Sequence, residues 1–345
     1  MNKVCPWSTS IHAAKQLFKS GRQSTKSASL VRPHFQLDKS DQEILHNLTS
    51  RGWPEFPIPL PTLREKFHEW QNLKNSSSRL DNKSKNQMWD IEEEFLPFVL
   101  AIPNDLCEFT LSHDSLSFSH DSTCKTTPFQ GIEPLEYEDY LAKLEIRIYN
   151  ELQERFVVQE GYFSILGPDF IKKTVDIGFQ SNVPFQLDHL NDLLIAGGAS
   201  IHSLVGFLIK NELYSEFPPK LFAFGRIYDA GHPFPQRSIA STLCLSYSQK
   251  ESLHDREEIV ESLKEYFNVN HNISFDIFFK GAPDLTGCES HSLVFKTKDG
   301  TIISEISTFN DYLSKRFSIM NQNGTFCHLV GGTLCDVTSL LHSCY

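Results

Sequence analysis

Over the first hundred residues the apolar positions step at helical spacing, and beyond Leu96 they gather into short runs. Ile44, Leu45 and Leu48 mark one side of a helix over 38–52, with Gly52 as its stop. Residues 53–61 carry four prolines and predict an extended connector, because proline fixes φ and lacks the N–H a helix needs. Leu63, Phe67, Trp70 and Leu73 then follow at spacings of four, three and three, which predicts a second helix capped by Thr62. The polar tract 75–87 is expected to interrupt it before Met88, Ile91 and Phe95 resume an amphipathic segment. The result is a small helical appendage with a break in it.

Further along, Leu141, Leu144, Ile148, Leu152 and Phe156 predict a helix over 137–156. Strand-like runs follow at 162–166, 193–196, 221–224, 242–247, 274–279, 292–296, 301–306 and 325–330, with helices expected at 201–213, 255–267 and 333–344. Strands joined mostly by short turns, with few helices between them, point to an antiparallel sheet with helices packed on it, an α+β architecture. No repeat of solenoid length occurs.

With 345 residues and 40% apolar side chains, the chain can bury one large domain plus the appendage. No apolar run approaches the 18 or so residues of a membrane-spanning helix. The charge, 32 basic against 43 acidic residues, is unevenly spread. Residues 1–34 hold six Lys/Arg and no acid, so the remainder carries a net charge of -17. A basic, serine-rich, acid-free start with Trp7, Ile11, Ala14 and Leu17-Phe18 at helical spacing reads as a mitochondrial presequence addressed to the matrix. The other reading is a disordered basic tail. Residues 1–34 are excluded from the expected fold. The eight scattered cysteines, with no Cys-x-x-Cys pair, suit reduced thiols.

The candidate chemistry is sparse. Ser112-His113-Asp114-Ser115 is echoed by Ser119-His120-Asp121-Ser122, a donor set a metal could use, but with no rigid frame it reads as a solvated loop. Gly197-Gly198 and Gly331-Gly332 lack the Lys-Ser/Thr of a phosphate loop and read as tight turns or close backbone approaches. There is no nucleophile elbow and no His-Glu-x-x-His helix. The acids between Asp284 and Glu289 are as compatible with solvent as with catalysis. Motifs alone give no enzyme.

Several segments, in chain order, resemble class II aminoacyl-tRNA synthetases and, within them, the seryl-tRNA synthetases. Leu100-Ala101-Ile102-Pro103-Asn104 resembles the Ile-Pro-Asn stretch between that family's amino-terminal arm and its catalytic domain. Residues 161–168 resemble motif 1, the dimer-forming helix and strand, which marks Tyr162, Ile165 and Pro168 as interface residues. Residues 217–224 with Asp229-Ala230-Gly231 resemble the run into motif 2. Glu305-Ile306-Ser307, Asp311-Tyr312 and Lys315-Arg316 resemble a later signature, and residues 333–338 the start of the motif 3 helix. The resemblance implies three parts: a presequence (1–34), a shortened tRNA-binding arm (35–95) and a class II catalytic-fold domain (96–345).

The departures from the family carry the functional expectation. The motif 2 arginine that grips the α-phosphate falls on Ile227. Arg226 is one residue early and would face the other side of a strand, unless a bulge restores it. Asp229 takes the place of the motif 2 glutamate. The motif 3 arginine for the γ-phosphate falls on Ser339, and no Arg or Lys follows Arg316. The Thr-x-Glu segment that holds the substrate ammonium falls on Gly197 and Ala199, and losing such a counter-ion costs about 2–5 kcal/mol. The segment with the adenine-stacking ring is replaced by residues 241–247, where Tyr247 offers a ring but the basic residues beside it are gone. Glu305 survives where a metal- or ATP-linked acid sits, and alone it would repel ATP.

The resemblance thus implies a synthetase fold with no catalytic residues, no cofactor and no metal. The chain is similar to the seryl-tRNA synthetase-like insect mitochondrial proteins, paralogues of the mitochondrial enzyme with a degenerate site. This implies a heterodimer with active mitochondrial seryl-tRNA synthetase that supports charging of serine tRNA in mitochondrial translation. With a net charge of -17, any tRNA contact is expected through the partner, since counterion release needs basic residues. The alternative is an active ATP-dependent amino-acid ligase with a remodelled pocket. A DNA-replication accessory subunit is a third class, disfavoured because such paralogues carry a carboxy-terminal anticodon-binding-like domain, which is not expected after Tyr345.

Overall fold

The computed structural model describes residues 11, 15, 33–75, 82–108, 110, 140–180, 185–186, 193–209, 212–213, 218–229, 232 and 235–344. Most of residues 1–34, both His/Asp pairs and Ala230-Gly231 lie outside the described residues.

Helix α1 (Asp41–Ser50) starts at a capping box, in which the Ser40 hydroxyl accepts from the Glu43 N–H and the Glu43 carboxylate accepts from the Ser40 N–H. The proline-rich connector leads to α2 (Leu60–Asn75) and α3 (Asn82–Leu100). Helix α3 begins inside the polar tract expected to interrupt it: Lys and Gln are good helix formers, and the buried turn that follows holds the polar one in register. Phe67, Trp70 and Phe95 pack ring on ring at 5.9–6.2 Å between the two helices. Helix α3 also runs unbroken through residues 95 and 96, where the sequence divides arm from domain.

Residues 102–104, the Ile-Pro-Asn stretch, are buried. Arg51, fully buried, donates to the carbonyls of Asn104 (2.9 Å), Thr286 (2.9 Å) and Glu289 (2.7 Å). Arg316, also buried, donates to the carbonyls of Leu100 (3.1 Å) and Ile102 (3.2 Å). Asn104 Nδ2 reaches the carbonyls of Cys288 and Phe309. This hub welds the helical unit to the rest of the chain.

Helix α4 (Tyr140–Leu152) continues as a wider turn through Gln159 into β1 (Phe163–Ser164). A small sheet forms from β2 (Phe170–Lys172), β3 (Phe185–Gln186) and β4 (Leu193–Ile195), with α5 (Lys173–Phe179) following β2. Next come α6 (Ile201–Leu208), β5 (Glu212–Leu213), β6 (Lys220–Tyr228), β7 (Gln236–Ser246) and α7 (Gln249–Glu265). The chain ends through β8 (Phe275–Phe279), β9 (His291–Thr297), β10 (Ile302–Asn310), α8 (Tyr312–Phe317), β11 (Met320–Asn321), β12 (His328–Asp336) and α9 (Val337–Cys344).

The main sheet has seven strands in the order β1-β6-β7-β12-β10-β9-β8, antiparallel except for the β1–β6 pair. This is the expected α+β architecture. Alternation divides its side chains between two cores. Leu221, Ala223, Ile227, Ile239 and Leu243 face the helices α1, α2, α3, α5, α6 and α8, while Phe222, Ala240, Cys244, Ile306 and Val330 face α4, α7 and α9. Several boundaries differ from expectation: α2 starts at Leu60, so Thr62 lies inside the helix and does not cap it, α6 ends at Leu208, and α7 starts at Gln249. Residues 333–336 are strand, so the last helix begins at Val337, and β7 starts at Gln236, six residues earlier than its apolar run.

Candidate functional site

On the first face of the sheet lies a cavity of about 180 Å³. Phe179, Ala196, Ile201, Ile227, Ile239 and Phe309 give it an apolar wall, and Asp229, Glu289 and Glu305 add carboxylates. Ser200, His202, Ser241, Thr286, Cys288 and Ser307 complete most of the polar lining. Among the described residues, no lysine or arginine lines it. It is smaller than the roughly 300–1,000 Å³ of ordinary ligand pockets.

Of the six pocket positions implied by the resemblance, three meet here, Ile227, Asp229 and Glu305, and Gly331-Gly332 line the same cavity. The β6–β7 register runs from Lys220–Cys244 to Tyr228–Gln236 without a shift, so no bulge turns Arg226 round. Arg226 faces α4 instead, with Nη2 3.5 Å from Glu145.

The other three lie elsewhere. Gly197 has φ +91°, and a Cβ there would lie 2.2 Å from the Arg226 carbonyl oxygen, so this backbone admits no side chain. Ala199 is fully buried, and its carbonyl accepts from the Ser241 hydroxyl. Neither lines the cavity; their neighbours Ala196, Ser200, Ile201 and His202 do. Ser339 is buried in the first turn of α9, where its N–H donates to Asp336 Oδ1 at 2.9 Å. Tyr247 stands past the end of β7 and its N–H bonds Glu251, so Ile239 and Ser241 occupy the wall instead.

Two cations stand behind the carboxylates. Arg237 opposes Ile227 in register and therefore shares its face; it bridges Asp229 (3.2 Å) and Asp336. Lys280 is paired with Glu305. Burial works against the Lys280 charge, but Glu305, Glu289 and Asp284 outweigh it and hold its pKa above the usual lysine value. Glu289 is the most buried of the acids that line the cavity. Burial pushes its pKa up, but Lys280, the Ser307 hydroxyl and the Thr286 N–H bring it below the ordinary range. Four carboxylates thus surround two ion-paired cations, and the wall is anionic on balance.

His202 lies against the Phe179 ring, centroids 4.2 Å apart, with Nε2 3.7 Å from Asp176. Burial lowers its pKa to about 4, and the Cys288 thiol is pushed up to about 12, chiefly by burial. Both are neutral at pH 7.

Sequence reasoning missed Arg237, Lys280, His202 and Glu289 as parts of one site. Arg237, Ile239 and Ser241 alternate on one face, a signal that becomes visible once β7 is extended towards the Pro-rich turn before it. Glu289, as compatible with solvent as with catalysis on sequence alone, is 6% exposed.

The motif 1 residues differ in burial, and only Phe163 and Ser164 among residues 161–168 are strand. Tyr162 is buried, its hydroxyl 3.8 Å from Cys244 Sγ, so its ring turns into the core. Ile165 is half-buried and Pro168 exposed. The apolar surface here is made by Phe163 (63% exposed), Leu166 (90%) and Phe170 (48%). Behind it, Gly167 packs so closely on Gly198 that a Cβ would lie 2.4 Å from the Gly198 oxygen, and Ser203 Oγ donates to the Pro168 carbonyl at 2.7 Å. The exposed segment and the cavity floor are therefore one packed unit.

Among the described residues no cluster of three His, Cys, Asp or Glu could hold a metal ion, and no helix is long and apolar enough to cross a membrane.

No protein-family model matches the sequence, and no curated protein matches it. Solved structures do. Cytoplasmic serine-tRNA ligase from Naegleria fowleri in complex with AMP superposes with a TM-score of 0.66 at 12% identity, covering 87% of this chain and 88% of that one. Seryl-tRNA synthetase from Pyrococcus horikoshii complexed with ATP gives 0.59 at 12% identity, covering 99% and 93%. The chain has a seryl-tRNA synthetase-like class II fold.

Proposed function

We propose that this chain is a non-catalytic seryl-tRNA synthetase paralogue that works in the mitochondrial matrix as the partner of an active mitochondrial seryl-tRNA synthetase and supports the charging of serine tRNA. The observation that carries the reading is the anionic balance of the cavity. A triphosphate needs convergent positive charge. Here the two cations of the wall are held in ion pairs by Asp229, Asp336 and Glu305. At an effective dielectric near 20, a carboxylate about 4 Å from a phosphate charge costs roughly 4 kcal/mol. The partner is argued from the apolar surface at Phe163, Leu166 and Phe170, beside the short edge strand β1. Burying each such side chain contributes roughly 1.5–3 kcal/mol, enough together to favour a covered edge. Co-expression with mitochondrial seryl-tRNA synthetase and size measurement tests it. One mixed species is expected, and two separate homodimers would overturn the reading.

A second reading has its own observation. Arg237 and Lys280 sit directly behind the wall acids, and a rearranged pocket could expose them. That molecule would be an ATP-dependent amino-acid ligase, and amino-acid-dependent pyrophosphate exchange by the purified protein would establish it.

A further inference from the structure

The basic N-terminal segment, read from sequence as lying outside the fold, leaves two contacts on its body. Ile11 is 8% exposed and belongs to the same buried cluster as Ile91 and Phe95 of α3. Lys15 places Nζ 4.9 Å from the centre of the Phe98 ring, also on α3. Both residues are helical, and a spacing of four puts them on one side of a helix. Lys15 also lines a shallow groove whose other walls are Asp90, Glu93 and Glu94. Aromatic seat and acidic rim therefore both fall on α3, and the apolar anchor joins the core that α3 helps to build, opposite a segment that holds six cations and no acid within residues 1–34.

We propose that the acidic face of α3 is a docking site for a basic amphipathic helix, and that its occupant is this chain's own N-terminal segment, held in cis by Ile11 and Lys15. Glu94 is shared, since it also pairs with Lys66 of α2, so the seat is built across the helical pair. Cation–π attraction and charge complementarity fix the polar side, and Ile11 fixes depth. Removing the segment would uncover Phe98 and the groove. Docking in cis is independent of whether residues 1–34 direct import.

Hydrogen exchange read by mass spectrometry on the full-length protein tests this. Amides around residues 11–15 are expected to exchange at least tenfold more slowly than in Lys15→Glu, and the contrast should shrink in about 0.5 M salt. Ile11→Asp should expose them to a similar degree, while peptides from β7 keep their protection and report an intact fold. The charge-swapped double variant, Lys15→Glu with Glu93→Lys, should regain most of the protection. Unprotected amides in the wild-type chain, or protection indifferent to Lys15→Glu, would overturn the proposal.

Discussion

Two regions of the molecule handle buried charge in opposite ways. At the hub, Arg51 and Arg316 are buried with no carboxylate ion pair among the described residues, and their terminal nitrogens donate to main-chain carbonyls of residues 100, 102, 104, 178, 286 and 289. At the cavity, carboxylates form the wall and the cations are paired behind them. Glu289 links the two, since its carbonyl accepts from Arg51 while its side chain faces the cavity. These two buried guanidinium groups thus hold the helical unit to the sheet. The same fold keeps these two cations inside the hub and sets acids along the cavity.

The largest effect should come from breaking the hub. Arg51→Met removes the guanidinium from the carbonyls of Asn104, Thr286 and Glu289, of which the first keeps Asn47 Nδ2 and the second the Glu289 N–H as donors, and is expected to cost about 3–5 kcal/mol in denaturant unfolding. A loss below about 1 kcal/mol would mean that the hub does not hold the helical unit.

The cavity side is sharpened by pH. His202 titrates near pH 4 in the folded protein and near its ordinary 6.5 when unfolded. The unfolded chain therefore takes up the proton first as pH falls. The contribution is complete above about pH 6.5 and declines towards pH 4, by roughly 3 kcal/mol in all. Wild type should lose about 2 kcal/mol between pH 7 and 5 that His202→Gln does not lose.

Glu305→Gln leaves Lys280 with a weaker partner in a buried place and should cost about 1–3 kcal/mol by the same unfolding measurement. The smallest folding effect belongs to the exposed edge. Leu166→Asp should change stability by no more than about 0.5 kcal/mol, yet abolish the mixed species with the active synthetase. Unchanged association would move the partner surface away from β1.

The sequence disclosed these regions unequally. The helices of the first hundred residues were legible because single apolar stripes pack on one core. The central strands were legible as apolar runs, but the ends of β7 and β12 were not. Gln236 and Arg237 belong to the strand through the β6 register, and residues 333–336 through pairing with β7 and β10. Long-range pairing leaves little trace in local composition. At the site, Ile227 and Arg226 could be placed because alternation alone decides their sides. Gly197 could not, because its constraint is an approach to Arg226 that only the folded chain creates. The hub was visible as a motif, Ile102-Pro103-Asn104, but its burial and its arginine donors come from residues more than fifty positions away.

The most direct test is calorimetric titration of the purified protein with magnesium-ATP, with and without serine. A wall of carboxylates with its cations already paired predicts no binding up to about 1 mM, a ceiling of roughly -4 kcal/mol. A micromolar dissociation constant, lost in Arg237→Ala or Lys280→Ala, would contradict the account and restore the cleft as a nucleotide site.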